Sequence, residues 1–316
     1  MGRRRHYGPY VKRALTTAAL LLVAVLLSTL GATAQEPVFK VNVRLVRLLV
    51  TVKNLAGELV GSLESRDFTV TDNGVKQDIA VFEHQTTQPL SIALMIDTSA
   101  STGKDLRYET ASVTKFLDAL VREGNPDDAA ALYAFNDQVT LVNTYTRRVT
   151  RIEERLKSLK ADAGTSLYDA IYLAAPALRD REGRHVIVAI TDGGDTTSSK
   201  KYKDALDAAQ KADAIFYPVV VVPITNPAGR NTAGEHALET LASSTGGRAF
   251  YPTMGAQLDR TFAEILRDLR TQYLLGYYPA RVPTGDGSFH AVRVEIPQRR
   301  ELRISTRTGY YGEVSR

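Results

Sequence analysis

Between residues 38 and 88 apolar and polar positions alternate with the period of two expected of strands that cover a core on one face. Val41, Val43 and Leu45 alternate with Asn42 and Arg44. The parity then flips, so that Leu48, Val50 and Val52 alternate with Thr51 and Lys53. A one-residue phase change of this kind predicts a β-bulge or a segment buried on both faces. Residues 67–72 read as a further strand, Asp72-Asn73-Gly74 as a tight hairpin turn, and 79–83 as the last strand of a small β unit.

From Leu90 the period changes. Residues 90–96, 186–190 and 215–223 are continuous apolar runs, as expected of parallel strands buried on both faces. Residues 129–135 are strand-like, with 138–144 as a hairpin partner. Helical spacing appears over 104–122, 150–160, 166–179, 201–213, 234–245 and 256–270, with a short strand expected at 248–251. Strands alternating with helices of this length predict an α/β fold with a Rossmann-like, doubly wound sheet. After Tyr273 alternation returns, in Val292, Val294 and Ile296 and then in Leu302, Ile304 and Thr306. Neither flank, at roughly 50 residues, buries a good core alone. The expectation is therefore an α/β domain over 89–270, inserted into a small β domain that 35–88 and 271–316 build together.

Charge changes the picture at one end only. The chain of 316 residues has a formal charge of +5, from 40 Lys and Arg against 35 Asp and Glu. Five of the basic residues (Arg3, Arg4, Arg5, Lys12 and Arg13) lie in 1–34, which contains no acid, so 35–316 is neutral. A basic start, the apolar run 14–30 and Ala32-Thr33-Ala34 make 1–34 a secretory signal peptide by pattern. The expected location is extracytoplasmic, periplasmic or secreted, with anchoring by 14–30 as the alternative. Membrane contact is expected only through an uncleaved signal segment. The neutral body argues against nucleic acid as a partner. The absence of cysteine excludes disulfides, thiolate metal sites and a cysteine nucleophile.

Candidate chemistry falls at the carboxyl ends of the predicted strands, the edge where open α/β sheets bind ligands. Asp97, Ser99 and Ser101 follow the first buried strand, Thr165 opens a helix, and Asp192 follows the strand 186–190. Two carboxylates and three hydroxyls suit a hard, oxygen-seeking cation of the Mg²⁺ type, and no His or Cys is present for zinc. Two carboxylates only just neutralise such an ion, which leaves it able to accept a further carboxylate from a partner.

Asp97-x-Ser99-x-Ser101, Thr165 and Asp192 together resemble the metal-ion-dependent adhesion site of von Willebrand factor type A domains. Ala170 five residues after the Thr, Phe135 before a hairpin and Thr-Asp-Gly after a buried strand follow the same pattern. The similarity covers about 89–270, with Ala163 where the family usually has a second glycine. The flanks resemble those of exported bacterial, acidobacterial-type proteins with such a domain. The resemblance implies a bound Mg²⁺ (or Mn²⁺ or Ca²⁺), a protein ligand with an exposed Glu or Asp, and binding without catalysis.

The alternatives are a Mg²⁺-dependent phosphohydrolase using Asp97 and Asp192, and a metal-independent envelope scaffold. Against the first, Ser99 stands where aspartyl-phosphate chemistry would favour a second carboxylate, and no basic phosphate cradle is present. Ser101-Thr-Gly-Lys104 matches a serine-nucleophile motif without its partner motifs in order. His84, His185, His236 and His290 are scattered, and packing or surface roles are expected of them. The tyrosines of 273–278 and Tyr310-Tyr311 are expected to pack the β domain.

Overall fold

The computed structural model describes residues 45–84, 87–100, 106–221, 232–253, 255–283 and 287–312. The signal-like segment 1–34 and the first half of the phase change, at Val41 and Val43, lie outside the described residues. Among the described residues no helix is long and apolar enough to cross a membrane.

The first flank gives β1 (Val46–Lys53), β2 (Thr69–Asp72), β3 (Val75–Gln77) and β4 (Ile79–Glu83). The second gives β10 (Tyr273–Tyr277), β11 (Phe289–Glu295), β12 (Arg303–Ser305) and β13 (Gly309–Tyr311). They interleave into two four-stranded sheets, ordered β12-β1-β10-β4 and β13-β11-β2-β3. Leu48 faces Leu275 across β1 and β10, and Val70 faces Val294 across β2 and β11. The inward residues, among them Leu48, Val50, Val70, Tyr273, Leu275, Tyr277 and Val294, form one core that neither flank could assemble alone. Asn73 and Gly74, with φ of 47° and 80°, make the β2–β3 hairpin turn that needs positive φ at both central positions.

A buried polar cluster crosses this core. The Asp72 carboxylate accepts hydrogen bonds from Tyr277 at 2.9 Å and Tyr310 at 2.8 Å through one oxygen. Its other oxygen lies 2.9 Å from His290 Nδ1. Asp72 comes from the first flank and all three partners from the second. A carboxylate is tolerated in such a place only because its lone pairs are met.

Between the flanks lies a five-stranded sheet ordered β7-β6-β5-β8-β9. Its members are β5 (Leu90–Asp97), β6 (Ala129–Phe135), β7 (Val139–Thr146), β8 (Arg184–Thr191) and β9 (Ala214–Val220), of which only β7 is antiparallel. Every residue of β5, β6, β8 and β9 is buried, which is why these strands read as unbroken apolar runs.

On one face Leu90, Ile92, Leu94 and Ile96 pack with α1 (Leu106–Glu123), α2 (Val149–Leu156) and α6 (Ala256–Arg270). On the other, Ala93 and Met95 pack with α3 (Leu167–Arg179), α4 (Tyr202–Lys211) and α5 (Thr232–Ser244). The α/β fold with a Rossmann-like sheet is thus the one the periodicity predicts, with small sheets added from both flanks.

The strand expected at 248–251 shrinks to a single bridge, Val219 to Phe250. Arg248 turns its side chain to Glu264 and Asp268 on α6, and Pro252 supplies no amide for a longer ladder.

Asp72→Asn leaves shape intact but puts amide hydrogens against tyrosine and histidine donors. It should cost about 3 kcal/mol, as removing one partner of a buried network does. The measurement is the urea midpoint, at unchanged slope of the transition.

Candidate metal centre

The carboxyl ends of β5 and β8 place Asp97 and Thr191 side by side. Asp97 is fully buried, and Thr191 Oγ1 donates to its Oδ2 at 2.7 Å. The Ser99 amide donates to Oδ1 at 2.8 Å, and the Ser99 hydroxyl is turned to the same carboxylate. Burial pushes the Asp97 carboxyl up to about 6 against these hydrogen bonds, and the charge of nearby Asp192 adds to the rise.

Three loops are laced together by main-chain bonds around this point. Thr98 N donates to Phe135 O at 2.8 Å, and Asp162 N donates to Thr98 O at 2.9 Å. Thr196 N donates to Thr165 O at 2.8 Å, while the Thr165 amide donates to the hydroxyls of Thr196 and Thr197 at 3.0 and 3.1 Å. Ser166 Oγ bonds Asp137 O at 3.1 Å and the Thr197 hydroxyl at 2.8 Å. Asp195 accepts the Tyr168 amide at 3.1 Å and the Ser198 hydroxyl at 2.5 Å, closing the first turn of α3. Gly164 and Gly193 have φ of 84° and 103°, and both turn the chain where a side chain would strain it.

Of the five expected ligand residues, Asp97, Ser99, Thr165 and Asp192 are described, and Ser101 lies outside the described residues. Asp192 is half-buried, and among the described residues its carboxylate has no hydrogen-bonding partner. Thr165 is 6% exposed, and its hydroxyl is likewise unpartnered among them. Oxygens left without a hydrogen-bonding partner, one of them on a carboxylate near the buried Asp97, are the kind of donor that a hard cation takes. Among the described residues no cluster of three or more His, Cys, Asp or Glu exists, so the set is hydroxyl-rich.

Sequence reading passed over the second layer: Thr191, which orients Asp97, and Thr196 and Thr197, which hold the Thr165 backbone. The one local signal is the density of hydroxyls in Thr196-Thr197-Ser198-Ser199.

The histidines sit elsewhere. His185 is buried, with its ring nitrogens 2.5 and 2.9 Å from the carbonyls of Ala212 and Arg181. His290 is sealed in the sandwich beside Asp72. His84 packs against the rings of Phe82 and Tyr273, and His236 is exposed.

Residues 92–194 match the family model described as the von Willebrand factor type A domain. The match falls on the sheet that carries Asp97 and ends just past Asp192. Among similar solved structures is an aerotolerance-related membrane protein from Bacteroides fragilis, carrying multiple mutations to serine. It is 18% identical over 57% of this chain and 98% of its own, with a TM-score of 0.45. The von Willebrand domain of the type V pili tip protein Mfa5 from Porphyromonas gingivalis is 13% identical over 58% and 97%, with a TM-score of 0.47. The conserved hypothetical protein BatB from Bacteroides thetaiotaomicron is 17% identical over 57% and 98%, with a TM-score of 0.43. No curated protein matches the sequence.

A carboxyl pushed up to about 6 binds its proton more tightly in the folded than in the unfolded chain. Metal-free stability therefore carries a penalty that grows as pH rises from about 4 through 6 and is complete above 7, on the order of 3 kcal/mol. Asp97→Asn should remove it. In EDTA the variant's advantage in denaturant should be small near pH 4 and largest above about pH 7.

Proposed function

We propose that the chain is an exported, divalent-metal-dependent protein-binding module and not an enzyme. Asp97, Ser99, Ser101, Thr165 and Asp192 hold Mg²⁺ (or Mn²⁺ or Ca²⁺), and an exposed Glu or Asp of a partner completes the coordination. The observation that carries the reading is the buried Asp97 carboxylate with the Asp192 charge near it, Asp192 and the Thr165 hydroxyl both being uncommitted among the described residues. Hydroxyl ligands add no charge, so the ion keeps its affinity for an incoming carboxylate. Export rests on the basic, apolar and small-residue order of 1–34.

Magnesium or manganese at about a hundred times its dissociation constant should stabilise the protein by about 2.7 kcal/mol. The melting temperature should rise by several degrees in the parent and stay fixed in Asp97→Ala and Thr165→Val. An unchanged melting curve in the parent sinks the metal reading. Capture of an acidic partner from envelope extract should follow the same dependence. Capture that persists in EDTA favours a metal-independent scaffold, and Mg²⁺-dependent turnover of a phosphoester abolished in Asp97→Asn favours an enzyme.

A further inference from the structure

At the opposite end of the parallel strands a cavity of about 40 Å³ lies where the sandwich meets the amino-terminal edge of the sheet. This is room for a ligand of a few heavy atoms. One side is apolar, formed by Leu49 and Leu274 of the sandwich with Ala214 and Ile215 at the start of β9.

The polar side is rich in donors. Arg184 is fully engaged: it donates to the carbonyls of Gln88 at 2.9 and 3.1 Å and of Leu269, and burial pulls its guanidinium down to about 10. Arg307 binds the Asp213 carboxylate and donates to Arg47 O at 2.8 Å, yet its Nε is buried without a partner. Two further side chains are uncommitted. Gln210 is 5% exposed, and its amide has no hydrogen-bonding partner among the described residues. The half-buried Arg47 guanidinium also has none among them. Among the described residues Asp213 is the single acid lining the cavity, and it is already paired with Arg307. His185 at the cavity wall has both ring nitrogens against carbonyls.

We propose that this cavity binds a short aliphatic monocarboxylate. An uncommitted guanidinium recognises a carboxylate through paired N–H donors, and Arg is the residue suited to doing so in a partly buried place. The Gln210 amide supplies a further donor, and the apolar wall receives the alkyl chain. A phosphate would bring more charge and more acceptor oxygens than Arg47 and Gln210 serve, and would gain nothing from the Leu49–Leu274 side. The site lies at the strands' amino ends and shares no residue with the metal centre at their carboxyl ends.

The test uses the full chain in EDTA, so that no metal-bound carboxylate contributes to the signal. Propionate, propionamide and inorganic phosphate are titrated separately, with binding read by ligand-observed NMR and calorimetry. Propionate should bind saturably, with propionamide and phosphate at least about tenfold weaker. Arg47→Met and Gln210→Leu should each weaken propionate by a similar factor and leave the ligand-free melting temperature within a few degrees of the parent. Absence of saturable propionate binding overturns the proposal. So does equal affinity for propionamide or phosphate, or undiminished propionate binding in both variants. Should Arg47→Met fail to fold, Gln210→Leu and the propionamide comparison still decide.

Discussion

A strand walled in on four sides can carry charge only at its end. β5 has β6 on one edge, β8 on the other and helices on both faces, and its side chains are buried from Leu90 onward. Asp97 is the first acidic side chain on it, at the point where the sheet gives way to loops. Placing a carboxylate there is costly, and the surroundings reduce the cost with Thr191 and with the amide and hydroxyl of Ser99. The loops carrying Thr165 and Asp192 are organised around the same point.

The sandwich and the inserted domain are tied by charges that act in pairs. Asp268 on α6 takes Lys53 of β1 at 2.9 Å and Arg248 at 3.1 Å. Gln272, just before β10, donates to the Thr51 hydroxyl at 3.3 Å. Arg184 joins the segment entering the domain, at Gln88, to the last turn of α6, at Leu269. The two crossings of the chain between sandwich and domain are therefore held by one guanidinium. Its own desolvation is met by carbonyl dipoles and the nearby Asp128 carboxylate, not by a contacting counter-ion.

Much of this was legible in the sequence for physical reasons. Fully buried strands leave unbroken apolar runs, so β5 and β8 stood out. The candidate pattern is local, at Asp97-x-Ser99, Thr165 and Asp192, so these four described residues could be named as candidates before their geometry was known. The partners of those residues were not legible. Thr191 as an orienting donor, Thr196 and Thr197 under Thr165, and Asp72 against three residues of the second flank are all contacts between segments distant along the chain. No periodicity records them. The strand at 248–251 failed because Arg248 is drawn away by acids on α6. The uncommitted Arg47 and Gln210 look like ordinary surface residues until the fold brings their segments together.

The interleaving of the flanks has a mechanical meaning. Val46 opens β1 and Tyr311 ends β13, both in the sandwich, and the α/β domain is attached between β4 and β10, which are hydrogen-bonded neighbours. Tension applied at these two points passes through the ladders joining β1 to β10 and β2 to β11, and bypasses the inserted domain. The domain presenting Asp97 hangs from the load path without being part of it. Its own fold is not loaded until the sandwich itself is pulled apart.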